Sequence, residues 1–213
     1  MISDFFSGTG YTMRVLVLFA HPLHDSFHGV LHRAIVERLK AGGHDVDDCD
    51  LYAEGFDPVL DADGRRRYFD LAANRQGVES YVERLFAAEA LVMCFPVWCF
   101  GPPAILKGFM DRVMIPGVSF ALDSQGVMRP NLRHIQRLVA VTTYGRSRLE
   151  SWWLGDPPRK MVTRYLRWFI APRARLRYMP LYDLHKKEGS VQSAFVDAVA
   201  REMDAIPAAS VRR

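Results

Sequence analysis

The segment spanning residues 90–113 constrains the fold more than any other part of the chain. Residues 90–95, Ala-Leu-Val-Met-Cys-Phe, are continuously apolar over the length of one strand, the pattern of a strand covered on both faces. The run stops at Pro96, passes through the aromatic loop Val97-Trp98-Cys99-Phe100-Gly101, and reaches Pro102-Pro103, where a helix is expected to open. A proline in the first helical turn is tolerated because its missing N–H has no intrahelical partner there. A strand ending in this way leaves free backbone N–H groups beside two large rings, Trp98 and Phe100. Such an end suits a flat, hydrogen-bonding ring system better than a phosphate or a metal.

The rest of the chain supplies matching units. Residues 13–20 form an apolar, β-branched run that ends at His21-Pro22. Ser26 is placed to cap a helix through Lys40, with Val30, Leu31, Ala34, Ile35 and Leu39 at helical spacing and Gly42-Gly43 ending it. Residues 45–51 read as a second strand, 52–76 as loop, 78–88 as a helix and 116–122 as a connection. Residues 137–142 read as a fourth strand and 174–184 as a fifth. Between these two, residues 147–170 form helical pieces broken at Gly155-Asp156-Pro157-Pro158, and residues 190–206 form a closing helix. Strands alternating with helices imply a parallel sheet with right-handed crossovers. Five such strands fit the doubly wound order 2-1-3-4-5, a three-layer α/β sandwich. Its ligand crevice lies beyond the carboxyl ends of the first and third strands. Those ends are His21-Pro22 and Pro96-Val97-Trp98, so the topology and the aromatic loop indicate one place.

Composition bounds the remaining classes. The 213 residues, 49% of them hydrophobic, suffice for one domain with a full core, expected over residues 13–213 behind a flexible extension of residues 1–12. No apolar run approaches the ~20 residues needed to span a bilayer, and the N-terminus has no secretory pattern. Three cysteines, Cys49, Cys94 and Cys99, form no C-x-x-C pair, and their odd number argues for a reducing, cytoplasmic setting. The net charge of +4 is mild, and the arginine-rich stretch 159–177 lies beside no nucleic-acid-binding module, so no nucleic-acid partner is expected.

Three local patterns read as something other than binding motifs. The glycine-bearing run of residues 7–12 resembles a phosphate loop, but it precedes the first strand and opens no helix, so it fails as one. His21, His24, His28 and His32 lack a third and fourth ligand nearby and read as exposed helix histidines, with no metal expected. Trp152-Trp153 and Trp168-Phe169 read as core packing.

Three segments carry a family resemblance. They are Leu18-Phe19-Ala20-His21-Pro22 with Ser26-Phe27, residues 95–113 followed by Gly117 and Phe120, and Val141-Thr142-Thr143. On these the chain resembles the NAD(P)H:quinone oxidoreductases of the DT-diaphorase type, flavoproteins with a flavodoxin-like fold. The match covers residues 14–145, about two thirds of the chain, and its middle segment is the most specific. The resemblance implies a homodimer that binds FAD or FMN noncovalently, uses NADH or NADPH, and reduces quinone-like acceptors by two electrons in ping-pong order. By matching position, His21, Ser26 and Phe27 would hold the phosphate and ribityl parts. Pro96, Val97, Trp98, Cys99 and Phe100 would flank the isoalloxazine, and Thr142, Thr143 and Gly145 would approach its pyrimidine edge. Tyr144 stands where the family commonly has glycine, and its hydroxyl is a candidate catalytic donor. A sealing role, with the ring turned away, is the competing reading. The family's later tyrosine and histidine are replaced by Glu150 and tryptophans. The alternative function is a flavin-binding redox sensor or regulatory subunit that docks on a partner such as a membrane transporter.

Overall fold

A computed structural model describes residues 12–206. The expected extension and the rejected glycine run lie outside the described residues, apart from Thr12. Five parallel strands form the central sheet: β1 (Arg14–Phe19), β2 (Asp45–Asp50), β3 (Ala90–Pro96), β6 (Arg137–Thr143) and β7 (Arg175–Leu181). The two intervening strands, β4 (Phe120–Leu122) and β5 (Met128–Pro130), form a separate antiparallel hairpin. The sheet order is β2-β1-β3-β6-β7, the flavodoxin-like doubly wound order.

Side-chain alternation along the buried strands builds two cores. Leu16, Leu18, Leu91, Met93, Phe95 and Leu138 face one side, where they meet Leu106 and Phe109 of α4 (Ala104–Val113). Val15, Val17, Phe19, Val92, Val139 and Val141 face the other, against Leu31, Ile35 and Leu39 of α1 (Phe27–Ala41) and Val199 and Met203 of the C-terminal helix, Gly189–Asp204. The two-residue period of a strand divides one apolar run between both layers.

Ser26 caps α1 as expected, its hydroxyl oxygen accepting from the Gly29 N–H at 3.2 Å. Several expectations are corrected. Residues 62–67 form a short helix, α2 (Ala62–Arg67), where loop was expected, because Asp61 caps it through the Gly64 N–H at 2.6 Å. The helix α3 (Glu79–Ala87) is slightly shorter than read. Pro96 belongs to β3, in register with Thr143, and Pro103 is the N-cap of α4 rather than a first-turn residue. The 116–122 connection contains β4.

Gly108 shows why α4 can lie so close to the loop that follows β2. A Cβ there would fall 2.3 Å from the Pro58 carbonyl oxygen and 2.3 Å from its Cβ. Gly108→Ala is therefore expected to cost about 2 kcal/mol by overpacking. Urea denaturation checks this, and a midpoint equal to wild type would mean that the two backbones are not in contact.

Candidate functional site

Beyond the carboxyl end of β3 the chain makes a tight reversal. The Trp98 N–H donates to the Gly101 carbonyl at 3.0 Å, and the Gly101 N–H returns to the Trp98 carbonyl at 2.8 Å. The two central residues, Cys99 and Phe100, lie at φ +49° and +57°. That is the conformation of a type I′ turn, in which glycine or asparagine is usual. Holding two ordinary side chains there costs on the order of 1–3 kcal/mol each, a strain characteristic of ligand-binding loops. The amides of Cys99 and Phe100 have no partner among the described residues.

The end of β6 approaches the same space. The Val97 N–H donates to the Thr143 carbonyl at 2.8 Å, and the Tyr144 N–H donates to the Leu181 carbonyl at 2.8 Å. In the turn that follows, the amides of Gly145 and Arg146 have no partner among the described residues. The Tyr144 amide is thereby committed to β7. Val97, Cys99, Phe100, Tyr144 and Gly145 line one cavity of about 500 Å³, together with Arg146, Glu150, Asp183, His185 and Lys186. The His185 ring packs on Gly145, where a Cβ would meet its Nε2 at 2.9 Å.

The first loop forms a second group. His21 Nδ1 lies 3.0 Å from Ser26 Oγ, and the Ser26 hydroxyl donates to the Leu23 carbonyl at 2.6 Å. The His21 ring stacks on His28, with centroids 5.5 Å apart and planes 1° from parallel, and stands 5.7 Å from the Trp98 ring. Trp98 thus joins the first loop to the aromatic turn. Burial lowers the pKa of His21, and burial with the neighbouring His21 ring lowers that of His28 to about 4, against an opposing backbone contact to Phe95. The Phe27 ring packs on the α1 core, leaving its backbone at the helix start. The amides of Phe27 and His28 are unpartnered among the described residues, as at any free helix N-terminus.

Not every expected residue reaches open space. Pro96, Thr142 and Thr143 are buried, Thr142 completely, and its hydroxyl oxygen has no hydrogen-bond partner among the described residues. His28 and His32 are buried rather than exposed: they sit on the inward face of α1, and His32 stacks on Phe19 and bonds Asp48 at 2.7 Å. The expected core packing of Trp152, Trp153 and Trp168 fails, since they are 72%, 78% and 43% exposed; only Phe169 is buried.

Tyr144 also lines the cavity and is almost wholly buried. Its hydroxyl donates to Asp156 Oδ1 at 2.6 Å and meets the Tyr178 hydroxyl. The other carboxylate oxygen accepts from Arg159 at 2.8 Å and from the Tyr182 hydroxyl at 3.4 Å. The Arg159 guanidinium lies 4.5 Å over the Tyr178 ring. Burial, the neighbouring Tyr178 and the bond to Asp156 raise the Tyr144 pKa far above the usual phenol range, so the hydroxyl keeps its proton. Asp156, Tyr178 and Tyr182 carry no local sequence signal for this role. Asp156 in particular reads as part of a helix-breaking turn.

The crevice can receive a planar, hydrogen-bonding ring. It presents the amides of Cys99, Phe100 and Gly145, which have no partner among the described residues, with aromatic side chains beside them and a volume within the usual range for a small-molecule site. Trp98→Ala is expected to weaken binding of such a ring by up to about tenfold, the value of lost stacking. Trp168→Ala, on a separate helix, should leave affinity unchanged. Titration of the two variants side by side checks this, and equal losses would displace the pocket.

Comparison with known proteins adds an independent line. Residues 13–171 match the family model described as a flavodoxin-like fold. Ribosyldihydronicotinamide dehydrogenase (quinone) from Pongo abelii is 30% identical over 210 residues, covering 89% of this chain and 84% of that protein. NAD(P)H dehydrogenase (quinone) 1 from Rattus norvegicus is 30% identical over 156 residues, 65% of this chain and 56% of the relative. The crystal structure of Smu.1420 from Streptococcus mutans UA159 superposes with a TM-score of 0.79 at 25% identity, over 91% of this chain and all of that one. The chain spans about half the length of several curated relatives that it matches.

Proposed function

The chain belongs to the flavodoxin-like family of NAD(P)H:quinone oxidoreductases, and from that premise we propose that it is an NAD(P)H-dependent flavin oxidoreductase acting on quinones or similar flat acceptors. The observation that carries this reading is the convergence of the β3 and β6 ends on one cavity lined by Val97, Cys99, Phe100, Tyr144 and Gly145. A noncovalent FAD or FMN fits these residues. When bound, the flavin would supply two-electron hydride chemistry between NADH or NADPH and the acceptor, in ping-pong order.

The protein's part is binding and charge stabilisation. The amides of Cys99, Phe100 and Gly145 are fixed donors for negative charge on a ring held between them, and fixed donors stabilise such charge with little reorganisation. Ser26 and the amides of Phe27 and His28 at the start of α1 would take the phosphate end, with His21 oriented by its bond to Ser26. Pro96, Thr142 and Thr143 support these loops from within the sheet. Residues 13–213 would act as one flavin-binding domain.

Two further readings belong to this proposal. The exposed Trp153 and Trp168 support a homodimer, because large aromatic side chains left on the surface are enriched at protein contacts. The free state of all three thiols supports a cytoplasmic setting. No described helix is long and apolar enough to cross a membrane.

The purified protein is expected to be yellow, to release FAD or FMN on denaturation, and to oxidise NADH or NADPH with a soluble quinone. A colourless protein that takes up neither flavin on titration overturns the reading. Retained flavin without turnover would favour a flavin-binding regulatory subunit instead.

A further inference from the structure

Two cavities lie away from the crevice, on the shoulder formed by α5 (Arg148–Trp153), α6 (Pro157–Lys160) and the turn that follows. One, of about 580 Å³, has mainly apolar walls that include Met110, Leu154, Met161 and Tyr165. The other, of about 390 Å³, is lined by Arg148, Arg159, Lys160 and Arg164 beneath the exposed Trp152 ring. They share three residues: Gly155, Lys160 and Arg164. The Lys160 ammonium lies over Gly155, 3.3 Å from where a Cβ would stand, so glycine there makes room for it.

The charges on this shoulder do not cancel. Asp156 is paired with Arg159 at 2.8 Å, and Asp111 with Lys107 at 2.5 Å. These are the carboxylates lining the two cavities, and both are taken. The side chains of Arg148, Lys160 and Arg164 have no hydrogen-bond or ion-pair partner among the described residues. Three uncompensated cations around one small cavity repel one another and attract an anion. The backbone is also irregular here. Met161–Leu166 is a π-helical turn, a feature found often at functional sites. That turn carries Met161 and Tyr165 to the apolar cavity and Arg164 to both.

We propose that this shoulder is a second ligand site, separate from the flavin crevice, for a small amphipathic anion. An apolar or aromatic body would occupy the cavity of Met110, Leu154, Met161 and Tyr165. An anionic group, sulfonate, phosphate or carboxylate, would rest on Lys160 and Arg164 with Arg148 beside them. Adjacent cavities that share Lys160 and Arg164 select a molecule with an apolar body and an anionic group, and a plain phosphate or a neutral hydrocarbon satisfies only one of them. The site stands on its own geometry and does not depend on the redox reading.

The test uses the full chain as purified, with 8-anilinonaphthalene-1-sulfonate as the fluorescent probe. Saturable binding at one site per chain is expected. N-Phenyl-1-naphthylamine, the same body without the sulfonate, should bind at least about tenfold more weakly. Lys160→Gln with Arg164→Gln should weaken the sulfonate by about tenfold or more, leaving the melting temperature and visible absorbance unchanged. The charge-retaining pair Lys160→Arg with Arg164→Lys should restore binding. Sulfonate affinity unchanged in the glutamine variant, equal affinity for the neutral analogue, or binding that occurs only after flavin removal would overturn the proposal.

Discussion

Acidification from pH 7 to pH 4 is expected to remove about 3 kcal/mol of folding stability through His28 alone. The ring is 3% exposed, and its Nε2 has no hydrogen-bond partner among the described residues. Burial therefore holds the folded-state pKa down at about 4, below the ordinary value of 6.5. Between those two values the unfolded chain binds a proton that the folded chain refuses. Stability due to this group is complete above pH 6.5 and declines as the pH falls towards 4. The ring stacks on His21, so charging it would also disturb the loop assigned to the flavin phosphates. Urea denaturation of wild type and His28→Phe at pH 7 and pH 4 separates this contribution from that of the carboxylates. The variant should lose about 3 kcal/mol less than wild type over that interval. Equal losses in the two proteins would show that His28 is solvated or already charged.

His28 also illustrates which features a sequence displays and which it hides. Sheet order, the Ser26 cap and the crevice position follow from hydrophobic period, capping chemistry and the topological rule, all local or nearly so. The side on which a histidine lands is not local. Residues 28 and 32 share one face of α1 with Leu31 and Ile35, and that face is turned to the sheet by packing that the polar label of histidine conceals. The tryptophans fail in the opposite direction. Trp152 and Trp153 have the composition of core residues, but α5 is six residues long and its buried member is Ser151. The Cys99-Phe100 turn was legible as a loop, whereas its left-handed backbone was not, since neither residue favours that conformation. The Asp156 cluster joins three separate stretches of chain, around residues 144, 156 and 178–182, and such long-range convergence leaves no spacing to read.

That cluster bears on the open role of Tyr144. Asp156→Ala is expected to cost about 2–3 kcal/mol, because it leaves the buried Tyr144 hydroxyl and the partly exposed Arg159 without their common acceptor. Tyr144→Phe removes one donor and should cost about 1–2 kcal/mol. If the hydroxyl serves mainly to hold the ring against Asp156, both variants loosen the Gly145 edge of the crevice. Flavin affinity should then fall in proportion to lost stability, with Asp156→Ala the worse. A catalytic hydroxyl would behave differently. Tyr144→Phe would then slow flavin reduction by about 10- to 100-fold with affinity intact, and Asp156→Ala, which frees the hydroxyl, would slow it less. The geometry favours the first outcome. The hydroxyl proton is already given to Asp156 at 2.6 Å, and burial holds it on the oxygen. Stopped-flow reduction of Tyr144→Phe is therefore expected within about twofold of wild type at saturating flavin, with a lower urea midpoint. A tenfold slower reduction at an unchanged midpoint would return Tyr144 to the chemistry and leave Asp156 as the group that orients it.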